Sequence, residues 1–141
     1  MIGRRERDRG TVAMFTAIFA LFVILLAGLL VDGGLAIHAR QRAADIAEQA
    51  ARAAADDIDV GLLRSSGELR IADPATACAK AGRLVARYPE AAGNVQCRLR
   101  DSRTAWVQVT ITVKLQLLSV MPGFTDMEIT SSATATPETG T

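Results

Sequence analysis

The side chains able to do chemistry are few and far apart. Two cysteines (Cys78 and Cys97), one histidine (His38) and an acidic run (Asp56, Asp57 and Asp59) make up the candidate set. Two thiols 19 positions apart are either a disulfide, if the compartment is oxidising, or two buried free thiols. A metal site would need further soft or imidazole ligands, and only His38 stands elsewhere. The three aspartates read best as a solvated charge run, with a loosely held cation as the alternative. No P-loop, nucleophile elbow, H-E-x-x-H or C-x-x-C pattern occurs. An enzyme is therefore not expected, nor is a cofactor or a small-molecule substrate.

The element that positions all of these comes first in the chain. Residues 11–31 form an uncharged run carrying three of the four phenylalanines, Phe15, Phe19 and Phe22. At ~1.5 Å per residue a helix of that length spans roughly 31 Å, about the thickness of a bilayer's hydrocarbon core. Arg4, Arg5, Arg7 and Arg9 crowd the N-terminal side, which predicts a cytoplasmic leader over residues 1–10 and an extracytoplasmic remainder. A cleavable secretory signal, with Gly34-Leu35-Ala36 as a small-x-small site, is the competing interpretation. Ala13, Ala17, Ala20, Ala27 and Gly28 recur along one side of the span at spacings of three, four and seven. Small residues let helices approach closely in lipid, so this face is expected to pack on another helix. His38 falls just outside the membrane, where a solvated or headgroup-facing role is expected.

Residues 32–141 carry 12 basic and 13 acidic side chains, with Tyr88, Trp106 and Phe124 as the aromatics. A nucleic-acid surface needs concentrated positive charge and stacking groups, and this segment offers neither. The predicted topology puts Cys78 and Cys97 in an oxidising compartment, where a disulfide is the economical state.

Beyond the span, Asp32-Gly33-Gly34 marks the exit from the bilayer, and helical sequence resumes from Leu35 to about Ala55. Ile37, Ala44, Ala51 and Ile58 recur every seven residues, with Ala47 and Ala54 between them, opposite Arg40, Arg42, Glu48 and Arg52. This stem (residues 32–59) either packs against neighbouring proteins or covers its own domain's sheet. A weak hairpin or ordered loop is expected around Ser65-Ser66-Gly67. Asp73-Pro74 is a helix start, with an N-cap carboxylate and proline at the first position. Ala77, Cys78, Ala81, Leu84, Val85 and Tyr88 then share a face before Pro89. Strict alternation over Trp106–Leu117 predicts a half-buried strand, paired with Val95–Leu99 across a turn at Asp101–Thr104. Met121-Pro122-Gly123 reads as a turn, Met127–Ala135 as a third strand, and residues 137–141 as a polar tail. Cys78 and Cys97 both lie on apolar faces, so the disulfide would join the helix to the first strand.

The order of these features resembles the TadE/TadG-like proteins of Tad-type (Flp) pilus assembly. The resemblance begins at Arg7-Asp8-Arg9-Gly10 directly before the span. It continues through Val31-Asp32-Gly33-Gly34 and Arg40-Gln41-Arg42-Ala43-Ala44-Asp45, and ends with Ser132-Ala133-Thr134-Ala135. It implies a pilin-like stem and a prepilin-peptidase site at Gly10-Thr11. TadE-like pseudopilins are expected to carry glutamate five residues after the processing glycine; here that position is Phe15, and the TadG-like type fits better.

The fold class expected is α+β: a long N-terminal transmembrane and stem helix, then a small extracytoplasmic head (60–136) with one helix on an antiparallel sheet of about three strands. The function expected is a non-enzymatic, membrane-anchored accessory protein or minor pseudopilin. Its partners would be the lipid bilayer and other pilins or pilus-assembly membrane proteins, with no nucleic acid. The alternative is an unrelated single-pass envelope protein whose head binds a partner or ligand.

Overall fold

Alanine-rich sequence with no proline before position 74 lets one helix run a long way. In the computed structural model, which describes residues 4–117, 119, 123 and 125–138, α1 spans Arg4–Ala55, 52 residues. It continues through Gly33 and Gly34 without a break in helical pairing. Two short helices follow, α2 (Val60–Ser66) and α3 (Pro74–Val85), then strands β1 (Val95–Leu99), β2 (Ala105–Lys114) and β3 (Asp126–Ala135). The strands form an antiparallel meander in the order β1-β2-β3, so the α+β class holds. Met121 and Pro122 of the expected turn, and Thr139–Thr141 of the expected tail, lie outside the described residues.

The sheet turns one face toward the helices. On that face Cys97 pairs with Val107, Val95 with Val109, and Ile111 with Ile129. These residues close on Ala39, Ala43, Ile46, Ala47, Ala50, Ala51 and Ala54 of α1 and on Ala77, Ala81 and Val85 of α3. Alanine at most helix positions leaves little side chain between backbones, so a small domain reaches a close-packed core without large residues. The other face is polar. There Thr110 and Thr130 share a hydrogen bond of 2.8 Å, and the Arg98 guanidinium lies 4.4 Å from the Trp106 ring centre. That stacking leaves Trp106 only 9 % exposed although it sits on the solvent side of the sheet.

The stem thus covers its own sheet, which decides between the two alternatives left open by the sequence. The seven-residue stripe marks the buried side only in part. Ala47, Ala51 and Ala54 are fully buried and Arg40, Arg42, Glu48 and Arg52 opposite them are exposed, but Ile37 is 63 % exposed and Ile46, off the stripe, is 1 % exposed. A strict seven-residue repeat drifts about 20° per heptad around a straight helix, and the residues actually buried recur at three and four instead.

A second correction concerns Ser65-Ser66-Gly67, which is neither hairpin nor loop but the end of α2. The Asp59 carboxylate caps that helix by accepting from the Leu62 N–H at 2.9 Å. Gly67, at φ 73°, takes the left-handed conformation that closes it, donating to the Leu63 carbonyl. The excursion folds back through an isolated Ile58–Ile71 bridge, and the Ile71 N–H reaches the Ser102 carbonyl in the β1–β2 turn. At Asp73-Pro74 the predicted helix start is present, with the Asp73 carboxylate accepting from Thr76. The helix stops at Val85, short of Tyr88.

Candidate functional site

Three features of the molecule bear on function: an uncovered apolar helix, its junction with the head, and the link that holds the head closed. The apolar stretch of α1 is long enough to cross a membrane and is almost wholly exposed. Phe15, Phe19, Phe22, Ile24, Leu29 and Leu30 all stand out from it. Thr16 satisfies its hydroxyl within the helix by donating to the Val12 carbonyl at 2.8 Å, which removes the cost of carrying it into an apolar medium. Of the expected packing face, Ala13, Ala17, Ala20 and Ala27 are exposed, while Gly28 is buried. A Cβ placed on Gly28 would stand 3.4 Å from the Leu117 Cβ, so its own chain occupies that end of the face. Gly10 and Thr11, at the expected processing site, are exposed on α1.

One turn beyond Gly28, Asp32 is the junction. The residue is 2 % exposed, and its carboxylate accepts from the Gln116 N–H at 2.9 Å and the Leu117 N–H at 3.2 Å. Burying a carboxylate is costly unless donors replace the lost water, and charge-assisted backbone bonds do that here. The same contact explains why β2 stops at Lys114 rather than Leu117. Leu115 still bonds the Thr125 carbonyl, but the next two amides turn away from the sheet to Asp32. In the sequence Asp32 marks only the bilayer exit. The signal of a larger role was there, a lone carboxylate directly after an apolar span, but its partner lies 84 residues away.

Farther up the stem, Arg42 stacks on the Tyr88 ring (5.3 Å) and pairs with Glu90 at 3.1 Å. The Tyr88 hydroxyl donates to Gln49 at 3.0 Å. This ties the turn after α3 to α1. The Glu90 carboxyl is held below its usual range, first by its own backbone N–H and then by Arg42. The acidic run is likewise accounted for: Asp59 caps α2, Asp57 pairs with Lys80, and Asp56 is exposed. Among the described residues no cluster of histidine, cysteine and carboxylate suited to a metal ion occurs.

Cys78 of α3 and Cys97 of β1 form a disulfide, with Cα atoms 5.5 Å apart. It joins the helix and strand expected from the sequence, at the edge of the core.

Fold and junction together define an anchored α+β head: one apolar helix that continues, unbroken, into the core of a small disulfide-bonded domain. Residues 10–57 match the model of the Tad family, described as Flp pilus-assembly TadE/G-like. The match covers about a third of the chain and coincides with α1 from Gly10 onward. It bears out the resemblance over that segment, and it supports a role in Flp (Tad) pilus assembly and contact with other pilus components. No curated protein and no solved structure matches the chain.

Proposed function

We propose that this chain is a non-enzymatic accessory protein or minor pseudopilin of a Tad-type pilus, anchored by residues 11–31 with its N-terminus in the cytoplasm and its head outside. The observation that carries this is where the family match falls. It covers one helix whose first half is apolar and uncovered and whose second half is locked into the head. Such a subunit works by packing. Ala13, Ala17, Ala20 and Ala27 offer a face of small residues to a neighbouring helix in the membrane, while the rigid stem sets the height and orientation of the head. Because α1, β2 and β3 share one core and Asp32 ties their junction, a displacement of the span is transmitted to the head without a hinge.

Gly10-Thr11 is the proposed prepilin-peptidase site. Cleavage there removes all four leader arginines and creates a new α-amine on Thr11 at the bilayer edge. Phe15 cannot neutralise that amine as a glutamate would, so the processed subunit suits a tip or base position, where water or another subunit's carboxylate is near.

The test is deletion of the gene in a host that assembles Flp pili, complemented by the full chain. Loss of pili, restored by the full chain and not by the head alone, is the expected result. Undiminished piliation would remove the assembly role. N-terminal sequencing of the membrane-extracted protein then separates the two forms: a mature end at Thr11 marks a pseudopilin, and retained Arg4–Gly10 marks an accessory factor of the membrane.

A further inference from the structure

The contact between Gly28 and Leu117 brings the head lower than a stem-and-head arrangement requires. Gly28 lies three residues before Val31, the last residue of the apolar run, hence roughly 4–5 Å inside it at ~1.5 Å per residue. Leu117 rests against that position, yet 49 % of it remains exposed.

We propose that Leu117 is a second lipid contact. The head sits on the outer surface of the bilayer beside α1, and Asp32 holds the start of the β2–β3 connection at the depth of the outer leaflet's edge. The proposal rests on residues 11–31 lying in the membrane.

Three observations favour lipid as the occupant. First, the site is continuous with the apolar surface of the span itself, through Gly28. Second, the backbone there is prepared for a medium without water. Hydrocarbon cannot satisfy exposed amides, and the N–H groups of Gln116 and Leu117, which have left the sheet, are both taken by Asp32. Third, the charge pattern fits. Residues 115–125 include no charged side chain, and the flanking Lys114 and Asp126 face each other in register at the end of the sheet, on its polar side. Charges at the rim, with the apolar Leu115 and Leu117 directly beyond Lys114, are the pattern of a segment resting in the interface.

The experiment places an environment-sensitive fluorophore at Leu117→Cys in the full-length protein, with the native disulfide kept intact. The protein is reconstituted in phosphatidylcholine–phosphatidylglycerol vesicles containing nitroxide-labelled lipid. Phe22→Cys reports the middle of the span, and Thr112→Cys reports the exposed, polar face of β2. The expected result is blue-shifted emission at position 117 and a several-fold excess of lipid quenching over position 112. Asp32→Asn, which removes the charge, and Gly28→Leu, which fills the seat of Leu117, should each lower that quenching toward the level of position 112. Neither should change position 22. Unchanged Trp106 fluorescence shows that the head remains folded.

Quenching at position 117 no greater than at 112, with position 22 quenched, overturns this proposal alone. Failure at position 22 as well overturns the membrane assignment beneath it. Protection at 117 that rises with the protein-to-lipid ratio instead of with lipid would mean that another copy covers Leu117, and would likewise overturn the lipid contact. Quenching unmoved by either variant would remove the part assigned to Asp32.

Discussion

Replacing Cys78 and Cys97 with alanine should lower the melting temperature of the head by an amount the structure sets. The bond closes a loop of sequence separation 19 between α3 and β1. The entropy that such a cross-link removes from the unfolded chain is worth about 3 kcal/mol at 25 °C. For a domain approaching 100 residues each kcal/mol moves the midpoint by roughly 4–8 °C, so a fall of about 12–24 °C is expected. Trp106, the only tryptophan, is a built-in reporter, since it is buried under Arg98 when the head is folded. Thermal melts of the full-length protein in detergent, followed by its fluorescence, give the midpoint. Because the link needs both sulfurs, each single Cys→Ala variant should lose nearly as much as the double variant, and reduction of the wild type should reproduce the loss. A double variant within about 3 °C of wild type would refute the chain-entropy argument, as the smallest loss it allows is several times larger. Two single effects that simply add would refute it differently, by showing that ordinary packing and not the bond carries the stability.

Ile46→Ala should destabilise the head by about 2–5 kcal/mol, the usual cost of a core cavity. Ile37→Ala, nine residues earlier on the exposed side, should stay within about 0.5 kcal/mol, and equal effects in the same melts would contradict the register of α1. The Asp73 carboxyl is held below its usual range chiefly by the Thr76 N–H and then by the Thr76 hydroxyl. Its capping contribution should therefore be complete above the ordinary aspartate value and be lost as the pH falls through the lowered one. Melts of wild type and Asp73→Ala should differ at neutral pH and converge in acid; a gap that persists in acid would show that the cap does not act through its charge. In the membrane, replacing Ala17 and Ala20 with leucine should weaken cross-linking of the span to neighbouring helices while leaving insertion intact. Cross-linking at the wild-type level would make the span an anchor without a packing face.

How much of this was legible in sequence follows from the range of the interactions involved. The span is written in a continuous uncharged run. The start of α3 is written in Asp73-Pro74, and β2 in an alternation of period two; each is a local pattern whose physics acts within a few residues. The disulfide was also accessible, because both cysteines fall on apolar faces of elements that could be placed beforehand. The short helix α2 was missed although its signals, Asp59 and Gly67, are local: a helix of 7 residues with no buried side chain has no hydrophobic period to find. What only tertiary structure decided are the long-range choices. Whether the stem faced other proteins or its own sheet depended on which surface the sheet and α3 would cover, and alanines on several sides of the helix left both open. The end of β2 depended on Asp32, 84 residues from Gln116, because an amide can leave a sheet only when another acceptor is brought to it, and no sequence period records which acceptor that is.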